Sequence, residues 1–219
     1  IDGDTQHVVF DTCLSFDESL LHYGTTHGVL PRADPRVAHS SPVMWAEGLD
    51  VMMARIVLSG LELAQLAAIS GSTQQHGSVY LNSEWVRVVR ALDASRPLAE
   101  QIRGVFAREE SPIWMDSSTA EECAEITASV GSEQLLAQRT GSRAFERFTG
   151  PQIRRFFKQS PERYRATSRI HLVSSFLASL LSGNDGPMEP GDASGMNLMD
   201  LTSRDWWTDA LEANPPRLR

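Results

Sequence analysis

No stretch of this 219-residue chain approaches the roughly 20 consecutive apolar residues that a membrane span requires. The N-terminus also lacks the basic-then-apolar pattern of a secretory leader. Cysteine is scarce: Cys13 and Cys123 stand far apart and without metal-ligand spacing. They fit reduced thiols in a cytoplasmic protein, with a single disulfide as the alternative. Positive charge is the minority sign, 20 Lys and Arg against 28 Asp and Glu, for a formal net charge of -8. That balance excludes nonspecific nucleic-acid binding. The densest basic group, Arg154, Arg155 and Lys158, reads as a solvated helix face. Familiar catalytic signatures are missing too. Gly71–Gly77 lacks the Gly-Lys-Ser/Thr ending of a phosphate loop, and neither Ser70 nor Ser72 sits in a Gly-x-Ser-x-Gly elbow. His22 and His27 have no third ligand at suitable spacing, so no metal site is expected. No internal repeat is visible.

What is present describes an ordinary globular chain, 41% hydrophobic and 22% charged. Its length suffices for one large domain or two small ones. Asp2-Gly3 is a hairpin-turn dipeptide ahead of an extended run, Gln6–Phe10, within an early strand region of about 5–16. A turn at residue 2 has no first strand to turn from, so the chain reads as a fragment whose opening strand is lost. A loop follows over about 22–42. Trp45, Leu49, Met52, Met53, Ile56 and Val57 then fall at helical spacing, which predicts a helix over about 43–59. Pro97 suits the first turn of a short helix carrying Leu98, Ile102, Val105 and Phe106.

Further on, Ser118-Thr119-Ala120-Glu121 reads as a capping box for a helix ending near Gly131, and Ser132 can cap the next, ending near Gly141. Gln152–Lys158 is expected to be helical. Ile170–Leu181 is apolar on nearly all sides and is expected to be a core helix closed by Gly183. A short strand over Met196–Leu201 and a capped helix from Ser203 to Leu211 complete the expectation of a mixed α/β domain.

The most informative stretch is Leu66–Leu81. An apolar run ends in Ser70-Gly71-Ser72-Thr73-Gln74-Gln75-His76-Gly77, and a second apolar run begins. The pattern predicts two strands joined by a polar loop. Gln74, Gln75 and His76 donate and accept hydrogen bonds, and the flanking glycines admit a tight turn. Such a crevice suits a polyhydroxylated small molecule, although a loop histidine making structural hydrogen bonds is an equal reading. Asp116, ahead of a helix N-terminus, reads first as a partner of the helix dipole. Arg143 and Arg147 flank Phe145 and would share one face if helical; an ion pair with Glu146 is the ordinary alternative. Asp192, within Gly191–Asn197, is either a turn former or a base on a backbone that lets substrate approach.

Five segments, in order, resemble the N-terminal half of the FGGY family of carbohydrate kinases, in its xylulokinase branch. They are Ile69–Leu81 with its Gln-Gln-His-Gly, Pro112–Thr119, Thr140–Gly150, Arg169–Leu181 and Gly191–Leu198 with Asp-Ala-Ser-Gly-Met-Asn. The resemblance implies a ribonuclease H-like (actin-like ATPase) α/β domain, a mixed sheet with flanking helices, over residues 1–219. It also implies transfer of the ATP γ-phosphoryl group, with Mg2+, to the terminal hydroxyl of D-xylulose. Carried over by position, Asp192 is the general base, His76 and Arg147 bind sugar hydroxyls, and Gln75 and Asp116 line the same crevice. The family's first strand and phosphate loop would precede Ile1 and its ATP-binding lobe would follow Arg219, so the isolated chain is expected to be silent. The alternatives are a non-catalytic sugar-binding or regulatory module, or a kinase for another ketose or polyol.

Overall fold

The computed structural model describes residues 1–214. Its helices are α1 (Phe16–Ser19), α2 (Pro42–Leu58), α3 (Trp85–Arg90), α4 (Leu98–Ile102), α5 (Ala120–Val130) and α6 (Glu133–Thr140). They continue with α7 (Thr149–Gln159), α8 (Pro161–Arg165), α9 (Val173–Ser182), α10 (Pro190–Ala193) and α11 (Thr208–Ala213). The strands are β1 (His39–Ser40), β2 (Ser78–Leu81), β3 (Ser111–Pro112), β4 (Arg169–Leu172), β5 (Met199–Asp200) and β6 (Asp205–Trp206). They pair antiparallel as β1–β3, β2–β4 and β5–β6.

The β2–β4 ribbon organises the core. Its register sets Val79 opposite His171 and Tyr80 opposite Ile170. Successive strand residues face opposite sides, and the two faces supply two separate clusters. Tyr80 and Leu172 pack with Ile126, Leu136, Ile153, Phe156, Leu198 and Ala210. Val79 and Leu81 pack with Trp85, Val89, Ile102 and Phe176. The result is helices on both sides of a ribbon, the layering expected of an α/β domain.

Several predicted elements form as read. Helix α2 covers the expected span and starts at Ser41, whose hydroxyl accepts from the Met44 N–H at 3.3 Å. Ser132 caps α6 through the Leu135 N–H, and Gly141 and Gly183 end α6 and α9 at positive φ of 86° and 66°.

Others differ for identifiable reasons. Ile170–Leu172 is strand, not the start of a helix, because it pairs residue for residue with β2; the helix begins at Val173. Leu66–Ser70 forms no strand, and among the described residues none pairs with it; Leu66 and Ile69 stay more than half exposed. The early strand region is irregular up to α1, although the turn at Asp2 does form, with the Asp2 N–H donating to His7 O at 2.9 Å. Ser118 makes no capping box: its hydroxyl donates to Asp116 Oδ1 at 2.6 Å, and Thr119 occupies the cap position. Ser203 caps no helix, since its N–H is held by Asp200 Oδ1 at 3.1 Å in the β5–β6 turn; α11 starts at Thr208. Residues 142–148 are not helical.

Candidate functional site

His76 sits where the Gln75 carbonyl accepts from the Gly77 N–H at 2.8 Å, a three-residue γ-turn with His76 at φ 64°. A non-glycine residue held there is strained, which is common where a side chain is aimed for function. The flanking contacts hold the ring. Its Nδ1 lies 3.2 Å from Gly195 O, and it tilts against Phe148 with centroids 4.7 Å apart. A carbonyl only accepts, so Nδ1 carries the proton. Burial pushes the imidazole pKa below its ordinary value, with nearby Arg147 acting in the same direction against Gly195 and Asp192. The ring is neutral near pH 7, leaving Nε2 as a hydrogen-bond acceptor.

Asp192 sits in α10, beside Gly191, on the segment whose Gly195 carbonyl holds His76. Its backbone N–H donates to Glu189 Oε2 at 2.9 Å, and its carboxylate Oδ2 accepts from the Ser174 hydroxyl at the start of α9. Arg147 is exposed, and its guanidinium lies 5.7 Å from the Phe145 ring centroid; that of Arg143 lies 4.7 Å from the same ring. Both arginines therefore meet at Phe145 without a helix. Among the described residues neither forms an ion pair with Glu146. Phe145 in turn packs edge-on against Phe148 at 5.4 Å, linking Arg147 to the His76 ring.

A cleft of about 290 Å³ opens between Trp114–Ser117 and Phe145–Arg147. Asp116 and Arg147 share its lining. Asp116, however, is 1% exposed and its carboxylate is filled. Oδ2 accepts from the Ala38 N–H at 2.9 Å. Oδ1 accepts from the Ser118 N–H at 3.0 Å, the Ser118 hydroxyl at 2.6 Å and Gln152 Nε2 at 2.7 Å. The structure places it as the tie between β1, the 114–118 loop and α7. Gln75 is exposed, and its carbonyl closes the γ-turn.

Behind Asp116, buried Arg108 donates from Nη2 to His39 Nε2 at 3.1 Å and lies 5.0 Å from the rings of Tyr80 and Phe156. Burial, then the Arg108 charge, push the His39 pKa down to about 3. His39 is thus neutral, and its approaches to Glu110 and Asp116 are not ion pairs.

Sequence reasoning missed Trp114 and Met115, which stay 50% and 40% exposed on the cleft, and Ser174 on Asp192. A large aromatic two residues before Asp116 was an available signal for the first; nothing in the sequence signalled Ser174. Both cysteines are free, and burial pushes the Cys123 thiol up to about 12. Among the described residues no group of three or more His, Cys, Asp or Glu is placed to hold a metal ion. Nor is any helix of the described residues long and apolar enough to cross a membrane.

The layered α/β architecture is that of an actin-like fold, with a polar site built from its loops. Residues 109–216 match the FGGY family of carbohydrate kinases, N-terminal domain. The chain's relatives narrow the group. It is 45% identical to xylulose kinase 2 of Arabidopsis thaliana over 94% of this chain and 37% of that protein. It is 40% identical to the xylulose kinase of Mus musculus over 97% of this chain and 38% of that protein. The xylulose kinase structure from Rhodospirillum rubrum superposes with a TM-score of 0.68 at 18% identity, over 85% of this chain and 34% of that one. The chain therefore spans less than two-fifths of the length of these relatives.

Proposed function

We propose that the whole protein carrying this chain is a cytoplasmic xylulose kinase, and that this chain supplies one wall of its sugar site. The observation that carries the reading is the packing of the His76 ring against Gly195 O, three residues from Asp192, and against Phe148, which reaches Arg147 through Phe145, in a chain 45% identical to a xylulose kinase.

The chemistry follows from the groups. The neutral His76 ring accepts a sugar hydroxyl at Nε2, and the exposed Arg147 fork donates to a second hydroxyl. Asp192 accepts the proton of the terminal hydroxyl. As that proton leaves, the hydroxyl oxygen bonds to the γ-phosphorus of ATP and the bond to the β-phosphate oxygen breaks, ADP leaving with the electron pair. Holding the hydroxyl in line supplies much of the acceleration in such a transfer. Mg2+ is held in such sites by one or two carboxylates together with the substrate phosphates, and the steps on this wall are those of this chain's own residues. Gln75 is proposed to reach the bound sugar from the same loop, and Asp116 to border the cleft. The 219-residue chain alone is expected to be inactive.

A coupled ATP assay of the whole protein across ketoses and polyols tests this. D-Xylulose should give the highest kcat/KM; turnover of glycerol or gluconate ahead of it would reject the assignment.

A further inference from the structure

The base-bearing segment holds its own backbone, through the Ala193 N–H on Glu189 O at 2.9 Å, but not the Asp192 side chain. Helix α10 has only four residues, with glycine at 191 and 195 on either side of Asp192. Glu189 fixes the Asp192 main chain through its N–H, but leaves the carboxylate free to rotate. The side chain is oriented from elsewhere. Where β4 ends, the Val173 N–H donates to Gly77 O at 3.2 Å, tying the first turn of α9 to the residue after His76. The next residue, Ser174, donates its hydroxyl to Asp192 Oδ2.

A serine inside a helix can bond the carbonyl four residues back. Ser179 does so, donating to Ser175 O at 2.6 Å. Ser174, in the first turn of α9, has no carbonyl of its own helix four residues back, and its hydroxyl reaches off the helix to Asp192. A hydroxyl has one proton to donate, so it takes one carboxylate oxygen and leaves Oδ1 open.

We propose that Ser174 is a positioning residue: it fixes the rotamer of Asp192 so that Oδ1 faces the hydroxyl to be phosphorylated, and ties that rotamer to the turn that aims His76. This rests on the phosphoryl-transfer reading above. The test is steady-state kinetics and thermal melting of the whole protein as wild type, Ser174→Ala, Ser174→Thr and Asp192→Asn. Ser174→Ala should lower kcat about tenfold while KM for D-xylulose and Tm hold, since a mis-set base costs part of the 10²- to 10⁴-fold such a group provides. Ser174→Thr, which keeps the hydroxyl, should recover most of the lost kcat.

Should Ser174→Ala lower Tm, Ser174→Cys takes its place, nearly isosteric and a weaker donor, with kcat expected between wild type and Asp192→Asn. Full kcat in Ser174→Ala beside an inactive Asp192→Asn would overturn the positioning role and leave the kinase reading standing. Equal loss in Ser174→Ala and Ser174→Thr would overturn it as well. A wild type that phosphorylates no ketose would remove the reading itself, and the role of Ser174 with it.

Discussion

The Nδ1 of His76 meets the carbonyl of Gly195 at 3.2 Å across 119 residues of sequence, tying the His76 turn to the segment carrying Asp192. A side chain at residue 195 would crowd the contact. A Cβ on residue 195 would lie 3.0 Å from His76 Cε1 and 3.1 Å from Nδ1, closer than the ring accepts without shifting. Gly195→Ala should therefore weaken D-xylulose binding on the order of tenfold, within what a misplaced binding group costs. Isothermal titration beside a thermal melt checks this; unchanged affinity would show that the ring tolerates displacement.

Arg147 is exposed and rests on Phe145, and among the described residues it forms no ion pair. Arg147→Ala should shift stability by no more than about 0.5 kcal/mol, as for other surface positions. Sugar affinity should fall roughly tenfold or more, the scale of a lost charged hydrogen bond. A melt and a binding isotherm on one preparation separate the two effects; lost stability with intact affinity would make Arg147 structural.

Asp116 should behave the other way. Four donors converge on its buried carboxylate, so Asp116→Ala leaves them unpaired and should cost about 3–5 kcal/mol. Asp116→Asn should also destabilise, because an amide N–H₂ placed at Oδ2 would face the Ala38 N–H. Urea titration measures both; a variant that melts like wild type yet loses sugar would restore Asp116 as a direct ligand.

His39 makes stability acid-sensitive. Its folded pKa is held near 3, below the ordinary 6.5, so the unfolded chain takes up a proton first as the pH falls. Stability should be fully present above about pH 6.5 and decline toward pH 3. The slope approaches 1.4 kcal/mol per pH unit, or about 2 kcal/mol between pH 7 and pH 5 from this residue. Burial shifts His76 and His171 the same way. Urea melts at pH 7 and pH 5 should show a smaller loss in His39→Gln than in wild type; equal losses would mean His39 is protonated in the fold.

These contacts mark what was legible from sequence. Helix α2, the Ser132 cap and the glycine stops announced themselves through local spacing. The His76 loop stood out because carboxamides, an imidazole and glycines rarely crowd together without a reason. Ile170–Leu172 did not read as strand, since a short apolar run carries no period of its own and β2, its partner, lies 90 to 94 residues earlier. Leu66–Ser70 read as strand for the same lack of information. Ser118 and Ser203 looked like caps, but each is captured by an aspartate, Asp116 and Asp200, whose turns no local pattern separates from a helix start. Asp192 was visible among its glycines. Ser174 was not, because its role exists only once α9 and α10 are packed together.

The central claim is that Asp192 takes the proton on a wall where His76 and Arg147 hold the sugar. The most direct measurement is kcat and D-xylulose affinity of the whole protein with Asp192→Asn. The account predicts a fall in turnover of at least about 10²-fold, the contribution of a positioned base, with D-xylulose affinity within about threefold of wild type. Turnover surviving within a few-fold would contradict it.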